Sequence, residues 1–318
     1  AAGHFERFVE AVARGLGDRV VRWITVNEPL VYATLGYGTG EYAPGRRNDL
    51  RGMFRASHHL LVAHNRAAAV LRSRVPGARI GIAQHLRWMD PADPSSPADR
   101  AAAAFMDGGG NRFYLDPYFR GSYPEDILRR SRRFLPRGFE EDAAAAKGTL
   151  DFLGVNYYAR DRYRRARLQP FTHAREVVLP ADPRNPLGWG IYPDGLQRHL
   201  ARLREEYGNP EVAITENGYP TIETAGQDPL DDPDRITYLR DHAAAVGRAI
   251  AEGSRCTGFF CWTLTDNFEW SNGYRARFGL VRVDFATQER SWRASARWYR
   301  DLIAANTLDV ATPDPARA

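Results

Sequence analysis

Five short apolar runs, each separated from the next by a long stretch of helical periodicity, constrain this chain more than any other feature. They are Arg22 to Val26, Arg79 to Gln84, Leu150 to Asn156, Glu211 to Thr215 and Thr257 to Trp262. Strands alternating with helices are the signature of βα units around a parallel sheet, whose helices must cover the sheet faces. Asp49 is placed to cap a helix carrying Met53, Leu60, Leu61, Val70 and Leu71, which Pro76 and Gly77 stop. Pro193 opens another through Leu196, Leu200 and Leu203, ending near Gly208. Asp231 to Glu252 and Trp292 to Ala305 read as the last two helices. The Arg- and Pro-rich stretch from 160 to 190 reads as a long loop over one end of the sheet. With no fixed-period repeat and no long linker, residues 1–318 read as a single domain.

Composition excludes several alternatives. At 43% hydrophobic and 12% aromatic the chain can bury a sizeable core, and it has no apolar run long enough for a membrane span. A net charge of +5 raises a nucleic-acid partner, yet Lys147 is the only lysine among 44 basic residues. Such an arginine bias fits a GC-rich coding background better than a phosphate-binding design. The densest run, Arg129 to Arg133, follows Glu125 and Asp126 on what reads as a solvated face. Cys256 and Cys261 are an odd number of residues apart in an apparent strand and point to opposite faces, so they do not pair. Two unpaired thiols fit a reducing compartment, and the expected location is cytoplasmic. His58, His59 and His64 lack metal-pair spacing and read as packing or surface residues, and GGGN at 108–111 reads as a loop or helix interruption. No metal or cofactor is expected.

Two strand exits share one grammar. WITVNEP sets Asn27 and Glu28 just past an apolar run, with Pro29 ending the ladder, and EVAITENG does the same with Glu216, Asn217 and Gly218. Parallel α/β folds place their chemistry at the carboxyl ends of strands, so both glutamates are expected to look into one mouth although they stand 188 residues apart, at 28 and 216. Paired carboxyl groups suit glycoside hydrolysis, in which one protonates the leaving oxygen and the other attacks or activates water. Asn156 and Tyr158, two apart at a strand end, point the same way.

These segments resemble glycoside hydrolase family 1, the β-glucosidase family of retaining enzymes. TVNEP and ITENG look like its acid/base and nucleophile motifs. DFLGVNYY, WGIYPDGL and CWTLTDNFEWSNGYRARFGLVRVDF are similar to further family segments in the family's order. The resemblance implies that Glu28 is the general acid/base and Glu216 the nucleophile. It further implies that Asn27 bonds the sugar 2-hydroxyl and that Tyr158 donates to Glu216, keeping it ionised, with Asn156 beside it in the substrate site. Trp262, Glu269 and Trp270 become the sugar-recognition set, Glu269 engaging the 4- and 6-hydroxyls. A carboxylate there repels a 6-phosphate, which implies an unphosphorylated β-glycoside as the small-molecule substrate. A retaining mechanism further implies carboxyl groups ~5–5.5 Å apart and a Glu28 pKa raised by burial and by the Glu216 charge.

The resemblance also carries a departure. The family's fold is a (β/α)8 TIM barrel in which TVNEP follows the fourth strand, whereas here it follows the first. The five runs therefore correspond to strands four to eight. The expectation is an incomplete barrel lacking three N-terminal βα units, a fragment with two unpaired edges and exposed barrel interior. The alternative to a hydrolase is a non-catalytic carbohydrate-binding remnant, or a piece that needs a complementary N-terminal segment.

Overall fold

The computed structural model describes residues 1–169 and 171–308. All five runs form strands: β1 (Arg22–Asn27), β2 (Arg79–Pro91), β3 (Phe152–Arg165), β5 (Val212–Asn217) and β6 (Cys256–Cys261), with β4 (Ala174–Val177) between the third and fourth of them. The five pair in parallel in the order β1-β2-β3-β5-β6, a curled sheet that makes part of a TIM barrel. The runs at β2 and β3 extend further than the sequence suggests. Both overshoot the sheet's end and stay paired, Asp90 opposite Arg162 and Pro91 opposite Tyr163.

That overshoot corrects the reading of 160–190 as a loop, because β3 continues to Arg165 and turns back antiparallel through β4. Two of the arginines that suggest loop share one carboxylate: Arg162 Nε donates to Asp182 at 2.6 Å and Arg160 Nη2 to the same group at 2.5 Å. An extended strand with paired charges and a loop have the same composition here, and only tertiary partners separate them.

Alternation along the strands divides the residues between two faces. Ile82, Leu86, Leu153, Val155, Tyr157, Val212 and Ile214 face outward into a core shared with Leu61, Leu115, Leu196, Leu200 and Leu203 from the covering helices. The helix Leu50–Arg74 begins where Asp49 accepts the Gly52 N–H at 2.7 Å, and Pro193–Glu206, Pro233–Ala251 and Ala294–Ala305 lie within a turn of their expected bounds. The opposite face carries small residues, Gly81, Ala83, Gly154 and Ala213, and then the polar group described below. Gly154 is required there, since a Cβ would come within 3.0 Å of Thr215. His58 and His64 are fully buried packing residues, bonded to Tyr123 and Thr25 respectively. Residues 108–111 are a widened helical turn between Pro97–Asp107 and Phe113–Arg120. Both cysteines are free.

Among the described residues β1 and β6 each have one neighbour, so the sheet has two open edges. Ile24, opposite Gly81 on the inner face, is 44% exposed, and Phe260 on the other edge is 59% exposed. An apolar inner slice is therefore in contact with solvent, as expected of an incomplete barrel.

After β6 the chain crosses to a hairpin of β7 (Val281–Val283) and β8 (Arg290–Trp292). Asp266 fixes this crossing. Its carboxylate takes both Arg293 Nη atoms at 3.0 Å and the N–H of Gly279 at 2.9 Å, with both charged side chains fully buried. Removing one member of such a pair strands the other in low dielectric. Asp266→Ala is expected to cost about 3–5 kcal/mol, read as a lowered urea midpoint. A midpoint unchanged from wild type would refute the bracing role.

Candidate active site

The carboxyl ends of β1, β3 and β5 bring five of the sequence-identified residues into one hydrogen-bonded group. Asn156, fully buried on β3, is its hub. Thr215 Oγ1 donates to Asn156 Oδ1 at 2.6 Å, which fixes the amide orientation. Its Nδ2 then donates to Glu28 Oε1 at 2.9 Å and to Asn27 Oδ1 at 3.1 Å. Two residues along the same face, Tyr158 donates to Glu216 Oε2 at 2.7 Å.

Each glutamate is turned inward by its local backbone. Glu28 occupies the left-handed region, φ 48° and ψ 58°, just after a register shift in β1, and its N–H is held by the Ala83 carbonyl at 2.8 Å. A non-glycine residue there costs of order 1–3 kcal/mol, a strain that the surrounding contacts must offset. Pro29, which has no N–H to satisfy, then opens the next helix. On β5, Gly218 is needed for close approach: a Cβ would lie 2.0 Å from the Trp262 carbonyl.

Trp262 packs against the cluster that holds Tyr158, with Glu269 within reach of its side chain. Glu269 accepts a hydrogen bond from the Trp262 side chain and is close enough to feel the Glu28 charge; burial, ahead of these, raises its pKa. Trp270 stands outermost, 63% exposed, with its ring 5.6 Å from that of Tyr42.

Two neighbours escaped the sequence reading. His85 Nδ1 lies 3.1 Å from Glu28 Oε1, and its ring stacks against Tyr158 at 6.1 Å between centroids. Its position one residue beyond an apolar run, pointing to the Gly81–Ala83 face, is a strand-parity signal that could have found it. Tyr42 is half-buried and is pushed up to about 12 by burial and then by the charges of Glu269, Glu41 and Glu28. It sits in an irregular stretch where no periodicity marks it.

Protonation differs from the expectation. Burial pushes the Glu28 carboxyl up, but the His85 charge, hydrogen bonds from His85 and Asn156, and then Arg87 outweigh it and hold Glu28 below the ordinary value. Glu216 is pushed up to about 7, by burial first and then by the Glu28 charge, against the bonds from Tyr158 and Asn156. The Tyr158 bond is therefore present as expected but does not by itself keep Glu216 ionised. Burial and carboxyl repulsion act on both glutamates, and the His85 contacts set Glu28 apart from Glu216.

Comparison with known proteins agrees with this fold. The family model for glycosyl hydrolase family 1 matches residues 1–308. Beta-glucosidase A of Thermotoga maritima is 37% identical over 97% of this chain, which spans 69% of that relative's length. A bifunctional beta-D-glucosidase/beta-D-fucosidase of Bifidobacterium breve is 38% identical over 92% of this chain and 66% of its own. The solved structure of the Thermotoga maritima family 1 glycoside hydrolase, complexed with a cyclophellitol analogue transition state mimic, superposes with a TM-score of 0.91 at 38% identity, over 96% of this chain and 68% of that one. The chain is thus a β-glucosidase-type member of glycosyl hydrolase family 1.

Proposed function

We propose that this site hydrolyses unphosphorylated β-D-glycosides with retention of configuration, through a glycosyl ester on Glu216. The observation that carries the reading is one face of β3 serving both carboxyl groups: Asn156 donates to Glu28 Oε1, and Tyr158, two residues along, donates to Glu216 Oε2. Retaining chemistry needs one carboxyl to attack the anomeric carbon while the other protonates the departing oxygen and later activates water.

Roles follow from the contacts. Tyr158 aims Glu216 at the anomeric centre. His85 and Asn156 both end on Glu28 Oε1, leaving Oε2 to meet the glycosidic oxygen. Asn27, exposed at the mouth and oriented by Asn156, takes the sugar 2-hydroxyl. Glu269 accepts from neighbouring sugar hydroxyls, and Trp262 and Trp270 offer indole faces to the pyranose.

The pair must hold one proton between two coupled carboxyl groups, and Glu28 must carry it at attack. Above about pH 7, where the pair loses it, no acid is left. Turnover of a chromogenic β-glucoside by the 318-residue chain is therefore expected to show kcat/KM falling as pH rises through about 7. The non-catalytic carbohydrate-binding alternative predicts binding without turnover at any pH.

Two measurements test the roles. A 2-deoxy-2-fluoro-glucoside with a good leaving group is expected to esterify Glu216, located by peptide mass mapping; a label on any other residue refutes the assignment. In His85→Asn the Glu28 carboxyl loses the imidazole that lowers it, so its carbon-13 NMR titration moves to higher pH. An unmoved Glu28 titration would show that the histidine does not set the proton's place.

A further inference from the structure

The helix Pro233–Ala251, which leads from β5 to β6, carries two polar rings on its buried face, Tyr238 and His242, four residues apart. A tyrosine hydroxyl taken out of water needs partners. This one has two, and both belong to the strands that carry the catalytic group.

Among the described residues the β3–β5 ladder ends with Asn156 opposite Glu216, just after a register shift. Beyond that point side chains replace the backbone. Asn217, fully buried, donates from Nδ2 to the Tyr157 carbonyl at 2.8 Å and to the Tyr238 hydroxyl at 3.2 Å, and that hydroxyl donates to the Tyr158 carbonyl at 2.9 Å. Asn217 also accepts the Trp262 N–H on its own carbonyl at 3.0 Å, which ties β6 to the same residue. One hydroxyl thus holds both partners of the Tyr158–Glu216 bond: Tyr158 through its own carbonyl, and Glu216 through the residue that follows it. That bond, 2.7 Å long, weakens steeply if its geometry loosens.

We propose that Tyr238 is a positioning residue for the reaction, joining β3 to β5 behind the catalytic pair so that the Tyr158 phenol stays on the Glu216 carboxyl. The inference rests on the reading of Glu216 as nucleophile. Tyr238 acts only through Tyr158 and Asn217. Its own titratable neighbours are silent near neutrality: His242, stacked on its ring at 3.9 Å between centroids, is pushed down to about 4 by burial, and burial pushes the Cys261 thiol up to about 12. Glu216 faces Tyr158 and Asn156 from β3, Glu28 from β1 and Glu269 beyond β6, and the Tyr158 bond is the one that the Tyr238 hydroxyl supports.

Tyr238→Phe keeps the ring and removes the hydroxyl. The Glu216 carboxyl carbon, identified by its loss in Glu216→Gln, can be titrated by NMR in the 318-residue chain labelled with carbon-13 glutamate. The Tyr158 bond favours the ionised carboxyl, so loosening it in Tyr238→Phe is expected to move the midpoint upward from about 7. In Tyr158→Phe, where the phenol is already gone, adding Tyr238→Phe is expected to move it no further. A midpoint unmoved by Tyr238→Phe overturns the proposal, as does an equal shift in the Tyr158→Phe background, which would make Tyr238 a brace of the fold alone. Asn217→Ala carries the same two predictions, and loss of the fold in both variants overturns the positioning role too. In turnover of a β-glucoside, kcat is expected to fall roughly tenfold or more in Tyr238→Phe with KM little changed, and the reverse pattern overturns the role. The titration needs no substrate, so a chain that forms no ester on Glu216 sinks the nucleophile reading while the paired variants still decide whether Tyr238 acts through Tyr158.

Discussion

The Asn156 amide is the contact on which the site's organisation turns. Fixed at one end by Thr215, it has no freedom to flip, and its Nδ2 is directed at Glu28 and Asn27. Three strands meet in that single group: β1 supplies the two acceptors, β3 the amide and β5 the hydroxyl. Register makes this possible, because Asn156 lies opposite His85 on one side and Glu216 on the other. A slip of one residue in β3 would turn Asn156 and Tyr158 outward into the helices, and Val155 and Tyr157 into the mouth. The outward apolar residues that hold register are thus as much a condition of the site as its polar atoms.

Electrostatics then distinguishes two residues that the sequence presents in matching form. Both are strand-end glutamates, and both lose hydration on burial. His85 and Arg87 stand on the Glu28 side, whereas Glu216 is surrounded by Tyr158, Asn156, Glu28 and Glu269. One carboxyl faces an imidazole and, further off, a guanidinium, while the other has neutral donors and carboxylates. The asymmetry follows from strand order, since β2 carries His85 and Arg87 and neighbours β1 but not β5.

Much of this was legible beforehand, for definable reasons. Strand parity placed Asn156 with Tyr158, and the proline and glycine after each glutamate marked abrupt strand exits. The capping aspartate at 49 and the proline at 193 fixed helix starts because they act through local hydrogen bonding and fixed backbone torsion. His85 stayed hidden because one histidine after an apolar run has no local partner to signal it, and its meaning comes from Glu28, 57 positions earlier. The extended β3–β4 hairpin was lost for the same reason: its arginines find their carboxylates at Asp90 and Asp182 only once the strands are paired. Local hydrogen bonding and backbone torsion are written in neighbouring residues, whereas contacts across the sheet are not.

The open edges and the site are linked by the same physics. The outer face of the sheet is finished, with Ile82, Leu153, Val155 and Ile214 fully buried beneath helices, while Ile24 and Phe260 on the inner face remain in water. Covering that inner face would bury more apolar surface at roughly 25 cal/mol per Å² and would also dehydrate the mouth. Further dehydration favours the neutral form of any carboxyl, so Glu216, already at about 7, would rise again unless the covering segment brought a cation. Glu28 has its compensating partners in β2 already. Any segment that closes this sheet around a working nucleophile is therefore constrained in charge as well as in shape: it must be apolar against Ile24 and Phe260 and positive, or rich in hydrogen-bond donors, where it meets Glu216.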